Sequence, residues 1–490
     1  MPSPSQSAPL AARWAPLICL ALLACNPHVD VHVDPSPPAE PTWTSGKRLR
    51  AHLFDGGDGA IAFDGWTWKD TGLDQLCSFA SAEDGAIRCL PIDLSLAQGL
   101  LYLDASCTQR GVVFWPEPGP WKQISLTMPK PGACGPAPRV AYEVGSEVAS
   151  PTLYSRQYDG TCTPLMGPPI GSVWAVGAKI DPAAFVAGHD LVEAGAPGLS
   201  RAAFEADDGA RVLRGGFDTA LGARCFGRAG FAAPGEPGDL RCVPNDVAWM
   251  YDYVDAACAG TAVARVSDPT CSSPTLGFAA SSGCGMPIRI YALGAPSPPV
   301  PLHGGWYLDA QVCGYTLTAA FAAPTSEVAA DHFQALTVVH RGTGRLRSSY
   351  VTGPDGRVLR GDELFDSARG RPCRPERFTD GVLRCVPDRD LAFKGGGAPP
   401  AYADPACTKG LAWADPIRNE HPCDAPAYLP SGFAYLDAAH AAGPKLVGTT
   451  IYVQSQQGCV ARPVPENVAF YEVGPAVDIS VFPTVTEREE

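Results

Sequence analysis

Short runs in which apolar and polar residues alternate recur along this 490-residue chain and stop at a glycine. Examples are Tyr142–Gly145, Tyr291–Gly294 and Tyr471–Gly474, with Trp174–Gly177 as a related run. Alternation with a period of two is typical of strands that bury one face. Asp-Gly pairs at 58–59, 208–209 and 355–356 predict hairpin turns, because glycine supplies a positive φ and aspartate bonds its own backbone. The pattern therefore predicts an all-β fold.

The strand pattern is repeated three times. Cys77, Cys225 and Cys373 are spaced 148 residues apart, and each opens a hairpin that ends in Arg-Cys-apolar-Pro. Proline lacks an amide donor, so it ends a strand or marks a sheet edge. The hairpins end at Arg88–Pro91, Arg241–Pro244 and Arg384–Pro387. We assign the repeats to residues 44–198, 199–343 and 344–490.

Each repeat also divides into two halves that resemble each other. Gly99–Cys107 in a first half matches Gly305–Cys313 in a second half, and Tyr435–Ala438 is a shorter match. Six modules of roughly 74 residues, each with room for about four strands, suggest a six-bladed propeller. Such modules must stack to bury faces that none can bury alone. The alternative is three tandem β-sandwich domains, one for each repeat.

Sixteen of the 18 cysteines follow Cys25, and we expect them to form disulfides. A zinc site would need close CxxC or HxxxH pairs, whereas neighbouring cysteines within a repeat lie 12 to 36 residues apart. Hairpin pairs such as Cys77–Cys89 and module-closing pairs such as Cys134–Cys162 are both expected, but spacing alone leaves the connectivity open. The candidates are Cys77, Cys89, Cys107, Cys134, Cys162, Cys225, Cys242, Cys258, Cys271, Cys284, Cys313, Cys373, Cys385, Cys407, Cys423 and Cys459.

A Tyr-x-Asp-x-x-Cys signature follows each hairpin, at Tyr102–Cys107, Tyr253–Cys258 and Tyr402–Cys407. An arginine thus recurs at the end of each hairpin and an aspartate in each signature, which predicts a repeated ion pair between neighbouring strands. The candidate pairs are Arg88 with Asp104, Arg241 with Asp255, and Arg384 with Asp404. We interpret them as structural, and a ligand site repeated three times is the alternative.

Charge and motif content argue against several functional classes. The net charge is −14 and no basic stripe occurs, so nucleic acid is not expected as a partner. The chain has no GxSxG, HExxH, Walker or GxGxxG motif, and its histidines share no position in the repeat. The sequence predicts no metal site and no cofactor, and it identifies no catalytic residue.

The amino terminus has the pattern of an export signal. Arg13 precedes an apolar run, Trp14–Ala24, that is too short for a permanent membrane span. The run ends in Leu22-Leu23-Ala24-Cys25, which resembles the lipobox of bacterial lipoproteins. This resemblance implies a signal peptide over residues 1–24, acylation of Cys25 and a Pro-rich tether over residues 25–43. Asn26 in place of aspartate implies an anchor in the outer membrane, on its periplasmic face or at the cell surface.

The lipobox, the tether and the repeated Arg-Cys-Leu-Pro and Tyr-x-Asp-x-x-Cys-Thr motifs resemble the uncharacterised cysteine-rich repeat lipoproteins of Gram-negative bacteria. The resemblance implies a place in the cell envelope but no activity. We expect a non-enzymatic surface binding or scaffold protein whose partner is an envelope protein or glycan. The alternatives are an envelope hydrolase that acts on glycan and a purely structural component. Function is expected where residues break the threefold pattern, and the candidate exposed aromatics are Trp66, Trp115, Trp121 and Trp306. Packing in the core or in turns is the alternative, and the favoured interpretation, for these four side chains.

Overall fold

The computed structural model describes residues 33–34, 41–92, 101–114, 122–128, 137–149, 151–156, 160–165, 171–228, 231, 240–256, 260–266, 274–279, 289–304, 315–387, 401–414, 428–431, 438–455, 458–464 and 469–490. Strands make up nearly all of its regular structure, which confirms the all-β fold class. In these ranges the helices are three single-turn 3₁₀ helices, Pro182–Ala184, Ala330–His332 and Ile479–Val481. None of them is long and apolar enough to span a membrane.

The strands follow one another in three similar series. The first comprises β1 (Val33–Asp34), β2 (Trp43–Thr44), β3 (Leu49–Asp55), β4 (Ile61–Asp70), β5 (Gln75–Ser81), β6 (Ile87–Pro91), β7 (Leu101–Tyr102), β8 (Arg110–Phe114), β9 (Gln123–Thr127), β10 (Arg139–Glu147), β11 (Tyr154–Arg156), β12 (Cys162–Pro164) and β13 (Ser172–Lys179). The second comprises β14 (Ala187–Ala196), β15 (Leu199–Ala206), β16 (Arg211–Asp218), β17 (Ala223–Arg228), β18 (Arg241–Pro244), β19 (Ala248–Tyr253), β20 (Val263–Val266), β21 (Leu276–Ala279), β22 (Arg289–Leu293), β23 (Ser297–Gly304), β24 (Tyr315–Ala322) and β25 (Pro324–Val328). The third comprises β26 (Thr337–Arg341), β27 (Leu346–Thr352), β28 (Val358–Asp366), β29 (Arg371–Arg377), β30 (Leu383–Pro387), β31 (Ala401–Tyr402), β32 (Gly410–Ala414), β33 (Tyr428–Ser431), β34 (Ala438–Lys445), β35 (Thr450–Ser455), β36 (Gly458–Pro463), β37 (Ala469–Val477) and β38 (Thr486–Glu489).

Three five-stranded antiparallel meanders share one plan. Meander one consists of β38 and β3 to β6, meander two of β14 to β18, and meander three of β26 to β30. The Asp-Gly turns at 58–59, 208–209 and 355–356 join the second and third strands of each meander. Gly59, Gly209 and Gly356 have φ values of 80°, 94° and 76°, which glycine adopts without steric cost. The predicted hairpin turns are therefore confirmed.

The meanders close on one another head to tail. The last strand of each one donates a backbone hydrogen bond, 2.9 Å long in every case, to the segment that enters the next. The donor and acceptor residues are Cys89 and Val186, Cys242 and Gln334, and Cys385 and Pro483. Pro483 leads into β38, which pairs with β3 through Glu487 and Phe54. The C-terminal strand thus returns to meander one and completes a ring.

Hydrophobic cores are shared between meanders. At the first junction, between meanders one and two, the disulfide-bonded Cys77 and Cys89 belong to one cluster with Phe204 and Val212. The second junction, between meanders two and three, places Cys225 and Cys242 with Leu359. The third junction, between meanders three and one, places Cys373 and Cys385 with Ala60 and Ala62. Because each cluster needs two meanders, the alternative of three separate β-sandwich domains is wrong.

A seven-stranded sheet follows each meander in the chain. These outer sheets comprise β7 to β13, β19 to β25 and β31 to β37. The first and third have equivalent strand orders, β12-β11-β7-β8-β13-β10-β9 and β36-β35-β31-β32-β37-β34-β33, whereas the second differs. The two halves of a repeat therefore have different architectures, and six equivalent propeller blades are not confirmed.

Candidate functional site at the second junction

Three buried disulfides link the fourth and fifth strands of the meanders. They join Cys77 to Cys89, Cys225 to Cys242, and Cys373 to Cys385. Each of these cysteines is at most 3% exposed. The expected hairpin pairing is confirmed, and the three disulfides occupy equivalent places in the ring.

Two disulfides of the outer sheets correct the expected module-closing pairing. Cys162 bonds to Cys107 and not to Cys134, and Cys459 bonds to Cys407. Cys107 and Cys407 both have a φ of 52°, so the two signatures form the same tight turn. Cys25, Cys134, Cys258, Cys271, Cys284, Cys313 and Cys423 lie outside the described residues.

The hairpin arginines have different partners from those expected. Arg88 contacts Asp84 and Arg384 contacts Asp380, each at 2.7 Å, and both aspartates belong to the turn of the same hairpin. The hydrogen bond from Arg384 lowers the pKa of Asp380 to about 2. In meander two, the Arg241 guanidinium donates to the Phe333 carbonyl at 3.1 Å. The predicted pairing of Arg88 with Asp104 and of Arg384 with Asp404 is therefore wrong.

The aspartates of the signatures cap turns instead. Asp104 accepts the backbone N–H of Thr108 at 2.9 Å and of Gln109 at 2.6 Å. Asp404 accepts the equivalent pair from Thr408 and Lys409, and Asp255 accepts from Gly260 at 2.8 Å. The Ser106 hydroxyl contributes most to holding the pKa of Asp104 well below its usual range. These carboxylates fix the turns of the signatures, including those that present Cys107 and Cys407.

A second set of repeated aspartates lies at the third strand of each meander, and two of them bind an arginine that also contacts a 3₁₀ helix. Asp70, Asp218 and Asp366 end the third strand of each meander, 148 residues apart, and are at most 2% exposed. Arg48 binds Asp70 at 2.6 and 2.8 Å and also donates to the Ala184 carbonyl of a 3₁₀ helix. Arg345 makes the same contacts to Asp366 and Val481. The spacing of 148 residues could have revealed these aspartates, and Arg48 and Arg345 lie only 22 and 21 residues from them. The 3₁₀-helix carbonyls, however, are 136 residues from those arginines.

Meander two departs from this arrangement. The residue equivalent to Arg48 and Arg345 is Gly198. Its carbonyl accepts the backbone N–H of Thr219, as the carbonyls of Arg48 and Arg345 accept those of Thr71 and Ser367. Asp218 accepts from the backbone N–H of Ala220 at 2.9 Å and of Leu221 at 3.0 Å. The threefold pattern therefore changes at the boundary between meanders two and three.

Strand register identifies three equivalent positions at every junction. The residues that pair with the first cysteine of each hairpin are Trp68, Gly216 and Leu364. The residues that pair with the second cysteine are Phe79, Gly227 and Pro375. Phe204, Val351 and Phe54 occupy the facing position on the second strand of the next meander. The first junction is therefore filled by Trp68, Phe79 and Phe204, and the second is left with Gly216, Gly227 and Val351.

The aromatic side chains of the first junction are in contact. The ring centroids of Phe79 and Phe204 lie 4.3 Å apart, and those of Trp68 and Phe79 lie 6.4 Å apart. At the second junction a cavity of about 100 Å³ is lined by Gly216, Gly227 and Val351. A Cβ on Gly216 would lie 2.6 Å from the Cys242 sulfur, so the disulfide packs directly on this backbone. The disulfide fills part of the volume, and the remainder is the cavity.

Polar side chains also enter the cavity at positions that are not polar in meander two. Ser349, Arg360 and Glu363 line it, whereas the residues in register at meander two are Ala202, Val212 and Gly215. Leu336 and Leu359 form its buried wall. Val338, which is 39% exposed, lies at its mouth. The cavity therefore combines an apolar interior with a hydroxyl, a carboxylate and a guanidinium.

Ser349 has a histidine beside it. The Ser349 hydroxyl lies 2.9 Å from His340 Nδ1, and the imidazole stacks on Phe365 with 3.7 Å between ring centroids. Burial, reinforced by the positive charge of Arg347, lowers the pKa of His340 to about 4. A neutral imidazole with so low a pKa is a weak general base, because efficient bases have a pKa near the working pH. The pair therefore fits a hydrogen-bonded part of the core better than an activated nucleophile.

His340 is expected to make stability depend on pH. Its folded-state pKa of about 4 lies below the usual value of 6.5, so the unfolded chain binds more protons between these values. We expect the wild type to lose up to about 3 kcal/mol relative to His340→Gln as the pH falls from 7 to 4. Urea unfolding of both proteins across this range measures the difference, and parallel curves would contradict the assignment.

Trp66 is the candidate aromatic that lies among the described residues, and it is 48% exposed. The Arg214 guanidinium lies 5.0 Å from its ring centroid and 4.1 Å from that of Phe204. One face of Trp66 is thus held by a cation–π contact that rigidifies it. Trp115, Trp121 and Trp306 lie outside the described residues.

Within the described ranges, no group of three or more His, Cys, Asp or Glu side chains is arranged to hold a metal ion.

Comparison with known proteins adds a family but no activity. No curated protein and no solved structure matches the chain. A family model described as "Family of unknown function (DUF7481)" matches residues 18–482, which is nearly the whole sequence. The chain therefore belongs to this family of unknown function, DUF7481.

Proposed function

We propose that the protein is a lipid-anchored binding or scaffold protein of the Gram-negative cell envelope, held in the outer membrane by acyl chains on Cys25. Two features support an oxidising compartment outside the cytoplasm. The leader ends in the lipobox-like Leu22–Cys25, and the hairpin disulfides are buried at the cores of all three junctions. Buried disulfides of this number are typical of exported proteins.

The cavity at the second junction is the observation that carries the binding role. It lies where two aromatic residues of meander one are replaced by glycines, and its Ser349, Arg360 and Glu363 stand where meander two has Ala202, Val212 and Gly215. Glycan hydrolysis, the alternative, needs two carboxylates about 5 to 9.5 Å apart. The cavity lining contributes one carboxylate, Glu363, so binding is the function that we propose.

Acylation of Cys25 has a direct test with an internal control. In a Gram-negative host, we expect the wild type to incorporate labelled palmitate and to fractionate with the outer membrane. Cys25→Ala should lose the label and leave the membrane fraction, because a lipidated cysteine supplies the anchor. Cys19→Ala, which changes the other cysteine of the leader, should behave as the wild type. Retention of the label by Cys25→Ala would contradict the lipid anchor.

Binding at the cavity is tested by thermal unfolding with fractionated envelope extracts. We expect at least one fraction to raise the Tm of the wild type, because a ligand that binds only the folded state stabilises it by mass action. Val351→Phe, which places in the cavity a side chain like that of Phe204, should abolish the shift. Val447→Phe, at a residue that is 96% exposed, is the matched control and should retain it. Equal shifts in all three proteins would contradict a binding role for the cavity.

A further inference from the structure

The first junction shows which side chains pack at the positions that line the cavity of the second junction. The backbone frames are equivalent, since Phe79 and Gly227 pair with Cys89 and Cys242 in the same register. In the first frame a phenyl ring from Phe79 lies against Phe204. In the second frame both rings are missing, because the residues are Gly227 and Val351. Leu240 packs 3.2 Å from where a Cβ of Gly227 would lie, and the cavity is the space that Leu240 and the disulfide leave.

The volume and lining of the cavity narrow the choice of ligand. A dry cavity of about 150 Å³ lined by apolar side chains accommodates benzene, and this one measures about 100 Å³. Leu336 and Leu359 form an apolar wall, and Phe226 offers an aromatic surface beneath the Arg360 guanidinium, 5.8 Å from the ring centroid. This volume limits the ligand to at most one six-membered ring. An apolar ring would contact Leu336 and Leu359, whereas a sugar ring would leave its hydroxyl groups facing leucine.

The polar residues at the cavity indicate a neutral substituent on that ring. Arg360 and Glu363 contribute opposite charges, so the lining favours neither an anion nor a cation. The Ser349 hydroxyl can donate to or accept from a ligand hydroxyl. A phenol satisfies both the apolar and the polar parts of the site.

Building on the proposed binding role, we infer that the second-junction cavity binds a single phenol-type aromatic ring. Such a ring can belong to a free small molecule or to a tyrosine side chain. The occupant lies at the position where Phe79 and Phe204 meet in meander one, beside Leu240, which packs against Gly227.

The test uses p-cresol as the free ring, N-acetyl-tyrosinamide as the side-chain form and 4-methylcyclohexanol as the saturated control. For p-cresol we expect a Kd on the order of 1 mM or below, with roughly three- to tenfold weaker binding of the saturated ring. Intermolecular NOEs from p-cresol to the methyl groups of Leu336 and Leu359 should locate the site. Binding of N-acetyl-tyrosinamide at the same site assigns a tyrosine side chain as an occupant, and its exclusion assigns a free small molecule.

Three variants control for folding and location. Val351→Phe fills the interior and Val338→Trp blocks the partly exposed mouth, so each should weaken p-cresol binding at least tenfold. Val447→Phe should leave it unchanged. Absence of binding to the wild type, or unchanged binding in both cavity variants, would overturn the inference. An envelope fraction whose thermal shift is sensitive to Val351→Phe, without p-cresol binding, would remove the aromatic ligand but keep the proposed function.

Discussion

Asp366→Ala is expected to reduce the free energy of unfolding by about 3 kcal/mol, because it removes the buried partner of two arginines. Asp366 is 0% exposed and contacts Arg345 at 2.8 Å and Arg369 at 2.6 Å. Burial alone would raise the pKa of Asp366, but hydrogen bonds from the two arginines lower it overall. The stabilisation is therefore present at neutral pH and is lost as the pH falls through the folded-state pKa.

Asp218→Ala is the matched control within the same chain. Asp218 occupies the equivalent place, but Gly198 stands where the other meanders have arginine. Its loss removes two backbone hydrogen bonds and should cost about 1 to 2 kcal/mol. Urea unfolding at pH 7 compares the variants. Equal losses for Asp366→Ala and Asp218→Ala would show that the arginine link to the 3₁₀ helix does not contribute.

Replacing both Cys225 and Cys242 by alanine is expected to destabilise the folded state by about 3 kcal/mol. The disulfide closes a loop of 17 residues, and closing a loop of this length restricts the unfolded chain by that amount. Both cysteines are fully buried and pack with Leu199 and with Leu359 of meander three. The effect should therefore reach beyond the hairpin that contains them.

Hydrogen exchange distinguishes a shared core from a local one. In the double-alanine variant, amides of two segments should lose protection, the hairpin strands β17 and β18 and the strand β28 of meander three, because these strands meet at the second junction. Removing the outer disulfide between Cys107 and Cys162 should leave protection in both segments intact, although it closes a longer loop of 55 residues. Loss confined to β17 and β18 would contradict the shared core.

The repeat and its hairpins could be predicted because they depend on local signals. Asp-Gly turns, the ends at Pro91, Pro244 and Pro387 and the short spacing of Cys77 and Cys89 all act within one hairpin. The closure of the ring could not be predicted in this way, since β38 and β3 are more than 400 residues apart in sequence. The expected pairing of Cys162 with Cys134 is wrong because strand order, and not sequence proximity, brings Cys107 beside Cys162.

The candidate site was only partly accessible to sequence analysis. Recurrence in all three repeats predicts a pair of Arg88 with Asp104, whereas the partner in the structure is Asp84, four residues away on the same hairpin. The loss of bulk at Gly216 can be read from its spacing of 148 residues from Trp68 and Leu364. The hairpin of the second repeat is longer, so Cys89 and Cys242 are not 148 residues apart. The equivalence of these two cysteines, and of Phe79 with Gly227, follows from the strand register. The cavity follows from that comparison.

Native-state hydrogen exchange of the wild type with increasing denaturant tests the closed ring most directly. The backbone amides of Cys89, Cys242 and Cys385 form the three equivalent closing bonds, each 2.9 Å long. Because the junctions share cores and close in a circle, we expect one common free energy of opening for all three amides. Exchange of one of these amides at a lower free energy of opening, while the other two stay protected, would contradict the closed ring.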